Sequence, residues 1–134
     1  PGGAETGAHV YIDRTLSTVY KGQLSGYRTG LAAIEASVDC GFSAADSGTQ
    51  DATLRDIDDG KNTEVSTGFF NTLLGHTWQG MFCDPIHGGN REFMGWDLIG
   101  YPGIKLVWSA EDQAIGAKVN PEHASVEKFG GRAR

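Results

Sequence analysis

Apolar positions recur at helical steps of three and four through roughly the first two-thirds of this chain, and then lose any steady period. Over residues 8–20, Val10, Ile12, Leu16, Val19 and Tyr20 form an approximate helical stripe, which Gly22 interrupts. The next stripe is Leu24, Tyr27, Leu31, Ile34 and Val38, with steps alternating between three and four. It predicts a second helix that stops at Cys40-Gly41, since glycine takes the left-handed conformation many helix ends need. Asp46 or Ser47 is placed to cap a third helix, and Ser47 to Gln50 has the capping-box spacing. Leu54 and Ile57 face inward on that helix, and Asp58-Asp59-Gly60 ends it, the two acids opposing the helix dipole. A fourth helix is predicted over residues 64–82, where Val65, Phe69, Phe70, Leu73, Leu74, Trp78, Met81 and Phe82 make a wide apolar face.

After Phe82 the texture changes. Residues 83–103 hold five glycines, two prolines and three aromatics, which predicts an ordered but irregular loop. The tail that follows contains one strand-like run, Ile104 to Trp108, and then turns polar through Gly130-Gly131-Arg132-Ala133-Arg134. No strand–turn–strand alternation and no internal repeat appear elsewhere. The fold class is therefore mainly α: a small helical domain of about four helices with a long Gly/Trp-rich loop and an extended C-terminal tail. A chain of 134 residues fits one domain, with 1–7 a flexible lead-in, 8–82 helical, 83–103 the loop and 104–134 the tail.

Composition narrows the function classes. A net charge of −6, with Arg14, Lys21, Arg28, Arg55, Lys61 and Arg91 scattered, argues against nucleic acid or an anionic membrane as partner. No apolar run approaches the ~20 residues of a spanning helix, so no direct membrane span is expected. Cys40 and Cys83 are too few for a four-cysteine zinc site. They are expected either to pair, with each other or with a partner chain, or to remain thiols, according to the redox compartment. Pro1-Gly2-Gly3 opens the chain without methionine and without a visible signal peptide, so an upstream segment is expected to have been removed or to be missing.

Catalytic and cofactor motifs are missing. There is no Gly-x-Ser-x-Gly elbow, no Gly-x-Gly-x-x-Gly after a strand, no phosphate loop and no Cys-x-x-Cys-His. The chain is therefore expected to hold no flavin, nicotinamide cofactor or haem of its own. His76, Asp84 and His87 fall where a helix meets a loop and give an alternative reading as an independent metal-dependent enzyme, although their spacing fits no zinc motif. A further alternative is a sugar-binding module that stacks a sugar ring on Trp78, Trp96, Tyr101 or Trp108. His9 and His123 fall in surface segments and add little.

The loop itself has two readings. In the plainer one, Gly and Pro build turns while Trp96, Leu98 and Ile99 anchor the loop to the core. In the functional one, a rigid loop presents Asn90, Arg91 and aromatic side chains to a partner.

Read as a whole, FCDPIHGGNREFMGWDLIGYPG at residues 82–103 resembles the signature of the gluconate 2-dehydrogenase subunit 3 family. Asp84, Pro85, Gly88, Gly89, Asn90, Gly95, Trp96, Leu98, Ile99, Gly100, Tyr101, Pro102 and Gly103 match that pattern. Weaker similarity upstream, at Tyr11 to Arg14, Tyr27-Arg28, Gly30-Leu31, Gln50-Asp51 and Phe69-Phe70, extends the likeness over most of residues 4–103. His87 departs from the family, which usually has tyrosine there, and Cys83 replaces a small apolar residue.

The resemblance implies a non-catalytic small subunit of a periplasmic FAD-dependent dehydrogenase acting on sugars, glucosides or gluconate. The FAD sits in a large subunit of the glucose–methanol–choline type, and a cytochrome c subunit carrying haem c often completes the complex at the inner membrane. The small subunit is expected to stabilise the flavoprotein and to help its twin-arginine export. Within the loop, Asp84, His87, Asn90, Arg91, Trp96 and Tyr101 are the candidate site residues, with Asp84 and Asn90 bracing the backbone and His87 and Arg91 reaching the partner.

Overall fold

The structure, a computed structural model, describes residues 1–130. The last four tail residues, 131–134, lie outside the described residues. The fold is mainly α, with five α-helices among the described residues: α1 (Ala8–Ser17), α2 (Leu24–Ala36), α3 (Ser47–Asp58), α4 (Thr67–Phe82) and α5 (Met94–Ile99). The chain divides into two compact units, residues 15–76 and residues 1–14 together with the chain from Thr77 onward.

The unit of residues 15–76 is built on the periodic stripes. Ile34, Ile57 and Val65 are buried at its centre, with Ala33, Phe42, Leu54, Phe69, Phe70 and Leu73 packed against them. Burying each such large apolar side chain contributes roughly 1.5–3 kcal/mol. Gly30 permits close packing, because a Cβ there would stand 2.3 Å from the Phe69 ring. The stripe on α2 is only partly used: Tyr27 and Ile34 are buried, whereas Leu24 and Leu31 are exposed. That helix also ends at Ala36, ahead of the expected stop at Gly41, and Ser37 Oγ donates to the Ile34 carbonyl.

Other boundaries differ for local reasons. Asp46 caps α3, its carboxylate accepting the Thr49 N–H at 3.0 Å and the Thr49 hydroxyl at 2.8 Å. The Ser47–Gln50 capping box does not form, because Ser47 already lies in the first turn and Gln50 Nε2 donates to the Phe42 carbonyl. α4 begins at Thr67 rather than residue 64, since Asn62 Oδ1 holds the N–H groups of Glu64 and Val65 in a turn.

In the other unit, residues 1–7, expected as a lead-in, make turns. Thr6 is fully buried, its hydroxyl donates to the Gly2 and Gly3 carbonyls, and its own carbonyl accepts the Arg91 N–H at 2.8 Å. The expected irregular loop contains α5 and two single-turn 3-10 helices, Pro85–His87 and Arg91–Phe93. Among the described residues, the strand-like run of the tail pairs only at Ile104, which bridges Glu122 in antiparallel fashion. A further 3-10 turn spans Val126–Phe129. Among the described residues, no helix is long and apolar enough to cross a membrane.

Candidate functional site

The Gly/Trp-rich loop sits against the end of α4, and glycine makes that approach possible. A Cβ on Gly89 would fall 2.0 Å from the Gly80 carbonyl oxygen, and one on Gly95 would fall 1.8 Å from the Met81 oxygen. No side chain fits in either gap. The contact is then used: the Asn90 N–H donates to the Gly80 carbonyl at 2.8 Å.

Asn90 is the internal brace. Its side chain is wholly buried, Nδ2 donates to the Cys83 carbonyl at 2.9 Å, and Oδ1 accepts the N–H groups of Gly95 and Trp96. One amide group thereby ties the start of the loop to the first turn of α5. Trp96 is buried and donates through Nε1 to the Phe82 carbonyl at 3.0 Å. Asn90, Glu92 and Phe93 all have positive φ, of 47°, 53° and 63°. Left-handed conformations of this kind cost about 1–2 kcal/mol in a residue with a Cβ, so the surrounding contacts must impose them. Phe93 repays its strain by packing on Trp96 and His123, with ring centroids 5.2 and 4.6 Å apart.

Asp84 joins the loop to the tail. Oδ1 accepts the Ile86 N–H at 3.0 Å and the Ser125 hydroxyl, while Oδ2 accepts the Val126 N–H at 2.8 Å. Burial works to raise the carboxyl's pKa, but the Ser125 hydroxyl, the two amides and the nearby His87 together leave it below its ordinary value.

The candidate residues thus separate into two groups. Asp84, Asn90 and Trp96 are turned inward on the loop's own backbone. His87 and Arg91 are exposed, and Tyr101 is exposed on one side while its ring stands edge-on to Trp96 at 4.9 Å. Leu98 and Ile99 do not anchor the loop to the core as the plainer reading held. They are 53% and 58% exposed, because Trp96 takes the inward position of a helix only six residues long. They stand beside Tyr101 in sequence as an apolar end to a rigid loop. Sequence reasoning also missed Ser125 and Val126, and it set aside as a surface residue His123, which packs on Phe93 and Trp96. Ser125 ahead of a short helical turn is a cap signal, but nothing in the sequence links it to Asp84.

The metal reading finds little to build on. His76 is buried, with Nδ1 2.6 Å from the Tyr27 hydroxyl and its ring stacked on Tyr20 at 4.5 Å. Among the described residues, no three His, Cys, Asp or Glu side chains gather as a metal ion would require. Cys40 and Cys83 are both free thiols; Cys40 is exposed, and burial pushes the Cys83 thiol up. Trp78 and Trp108 are about half exposed, whereas Trp96 offers no open face for a sugar.

The sequence model of the family described as gluconate 2-dehydrogenase subunit 3 matches residues 1–103. No curated protein and no solved structure matches the chain.

Proposed function

Because the chain belongs to the gluconate 2-dehydrogenase subunit 3 family, whose members are small subunits of dehydrogenase complexes, we propose that it is the non-catalytic small subunit of a periplasmic FAD-dependent sugar, glucoside or gluconate dehydrogenase. It docks on a flavoprotein of the glucose–methanol–choline type, stabilises it and accompanies its export. The flavin performs the oxidation in the large subunit, and a cytochrome c subunit passes the electrons on. The role left to a companion chain is to shape and hold its neighbour.

The observation that carries this reading is the contrast within the loop. Its interior is fixed by Asn90, Trp96 and the glycine approaches, yet Leu98, Ile99 and Tyr101 at its end are left exposed. Large apolar and aromatic side chains on a rigid support are the kind of anchor that dominates protein interfaces, since little conformational freedom remains to be lost on binding. Arg91 and His87, exposed on the same loop, suit the polar rim.

The test is co-expression with the flavoprotein. Replacing Leu98 and Ile99 together by aspartate should abolish co-purification while the helical circular dichroism of the free chain is unchanged. Full recovery of the complex with both aspartates in place would remove the loop from the interface.

A further inference from the structure

The stretch matched by the family ends at residue 103, yet the chain continues and returns to the loop. The return is specific. Ile104 and Glu122 exchange backbone hydrogen bonds of 2.9 and 2.7 Å directly after Gly103, where a Cβ would stand 2.2 Å from the Glu122 carbonyl oxygen. Lys128 pairs with Glu122. His123 packs against Phe93 and Trp96 and stands 3.5 Å from the Asp97 carboxylate. Ser125 and Val126 then close on Asp84, the first braced residue of the loop.

We propose that residues 122–126 are a clasp: a segment of the tail that locks the loop from outside by seating Ser125 and Val126 on the Asp84 carboxylate. A covering role fits the contacts poorly. They fall on Asp84, Phe93, Trp96 and the exposed Asp97, and they leave Leu98, Ile99 and Tyr101 open. The clasp thus acts on the strained part of the loop, where Asn90, Glu92 and Phe93, all with positive φ, need external support. Asp84 is the natural anchor, because an ionised carboxylate accepting several donors makes stronger hydrogen bonds than a neutral group would. Ser125 completes a relay, accepting the Glu127 N–H while donating to Asp84, so the turn of Val126–Phe129 and the loop share one hydroxyl. The clasp is a property of this chain alone and does not depend on the docking reading.

Amide hydrogen exchange on the whole chain tests it. Ser125→Ala with Val126→Pro removes both donors. Proline is tolerated at the first position of a helical turn, and Ser125 already has the extended backbone (ψ 152°) that a following proline requires. The expected result is exchange about tenfold faster or more at Ile86, Gly95 and Trp96, with the amides around Ile57 unchanged. Unchanged rates at the loop, or acceleration confined to residues 120–130, would overturn the proposal and leave the tail a passenger. Should the double variant unfold, Ser125→Ala alone gives the same reading at a smaller size, a few-fold at the loop against none at Ile57. Asp84→Ala supplies the control for coupling. If the clasp is one unit, adding Ser125→Ala to Asp84→Ala accelerates loop exchange no further, whereas additive acceleration would show that the two residues act separately.

Discussion

The Asn90 side chain holds the backbone N–H of Gly95 at 2.8 Å while lying fully out of solvent. Gly95 lies five positions after Asn90, and over that span the backbone is left-handed at Asn90 itself, Glu92 and Phe93. Asn90 is suited to this position twice over: asparagine tolerates positive φ better than most residues, and its amide offers both a donor for Cys83 and an acceptor for Gly95.

Replacing Asn90 by alanine leaves the Gly95 N–H and the Cys83 carbonyl buried without partners, and should cost about 3 kcal/mol. Asn90→Asp keeps the acceptor but sets a carboxylate against the Cys83 carbonyl, so it should also destabilise. Urea unfolding followed through tryptophan fluorescence would check both. A loss under about 0.5 kcal/mol for Asn90→Ala would mean that the loop is held by something else.

The glycines in and against α4 give opposite expectations according to what surrounds them. Gly89→Ala and Gly95→Ala drive a methyl group into the backbone of α4 and should displace the loop, removing the near-ultraviolet signal of Trp96. Gly75 lies within the same helix with nothing within 4 Å of its would-be Cβ. Gly75→Ala should therefore stabilise by roughly 0.5–1 kcal/mol, the ordinary helix preference of alanine over glycine. Thermal melting of the three variants would reveal whether close approach, rather than glycine content, explains the loop.

How far the sequence reached follows from the range of the interactions involved. Stripes at Tyr27 and Ile34, at Leu54 and Ile57, and along α4 were legible because helical period is a local signal. The Asp46 cap was legible for the same reason. α5 was not, since six residues carry too little period and three non-glycine residues with positive φ precede it. The outward turn of Leu98 and Ile99 was hidden because both look like core residues when only composition is considered. The seating of Ser125 on Asp84 spans 41 residues of chain, and no local pattern encodes it.

The two thiols should differ in reactivity. Cys40 is exposed, whereas burial raises the Cys83 thiol, whose Sγ donates to the Gly80 carbonyl oxygen at 3.5 Å. A thiol reagent at pH 8 should modify Cys40 quickly and Cys83 only on unfolding, because the thiolate is the nucleophile. Equal rates in the folded chain, read by peptide mass spectrometry, would contradict the burial of Cys83.

His76 sets an acid limit. Burial pushes its pKa below the ordinary value, so the unfolded chain binds the proton more readily than the folded one. Stability is then unaffected at high pH and falls as pH drops through the unfolded value of about 6.5 toward the lower folded value. Denaturation midpoints between pH 7.5 and 5.5 should decline for the natural chain and decline less for His76→Gln. Parallel profiles would assign the acid loss to other groups.

Under the proposed function, this chain completes a flavoprotein and carries no redox centre itself. The decisive experiment is the visible spectrum of the tagged chain purified from the cells that make it, before and after adding gluconate, glucose or a glucoside. A companion subunit would come away in a stable complex with an oxidised-flavin band that bleaches on reduction by one of these compounds, the flavin remaining with the larger chain when the two are separated. A flavin, haem or catalytic metal that stays with the small chain after separation, or a small chain that elutes alone with dehydrogenase activity, would contradict it.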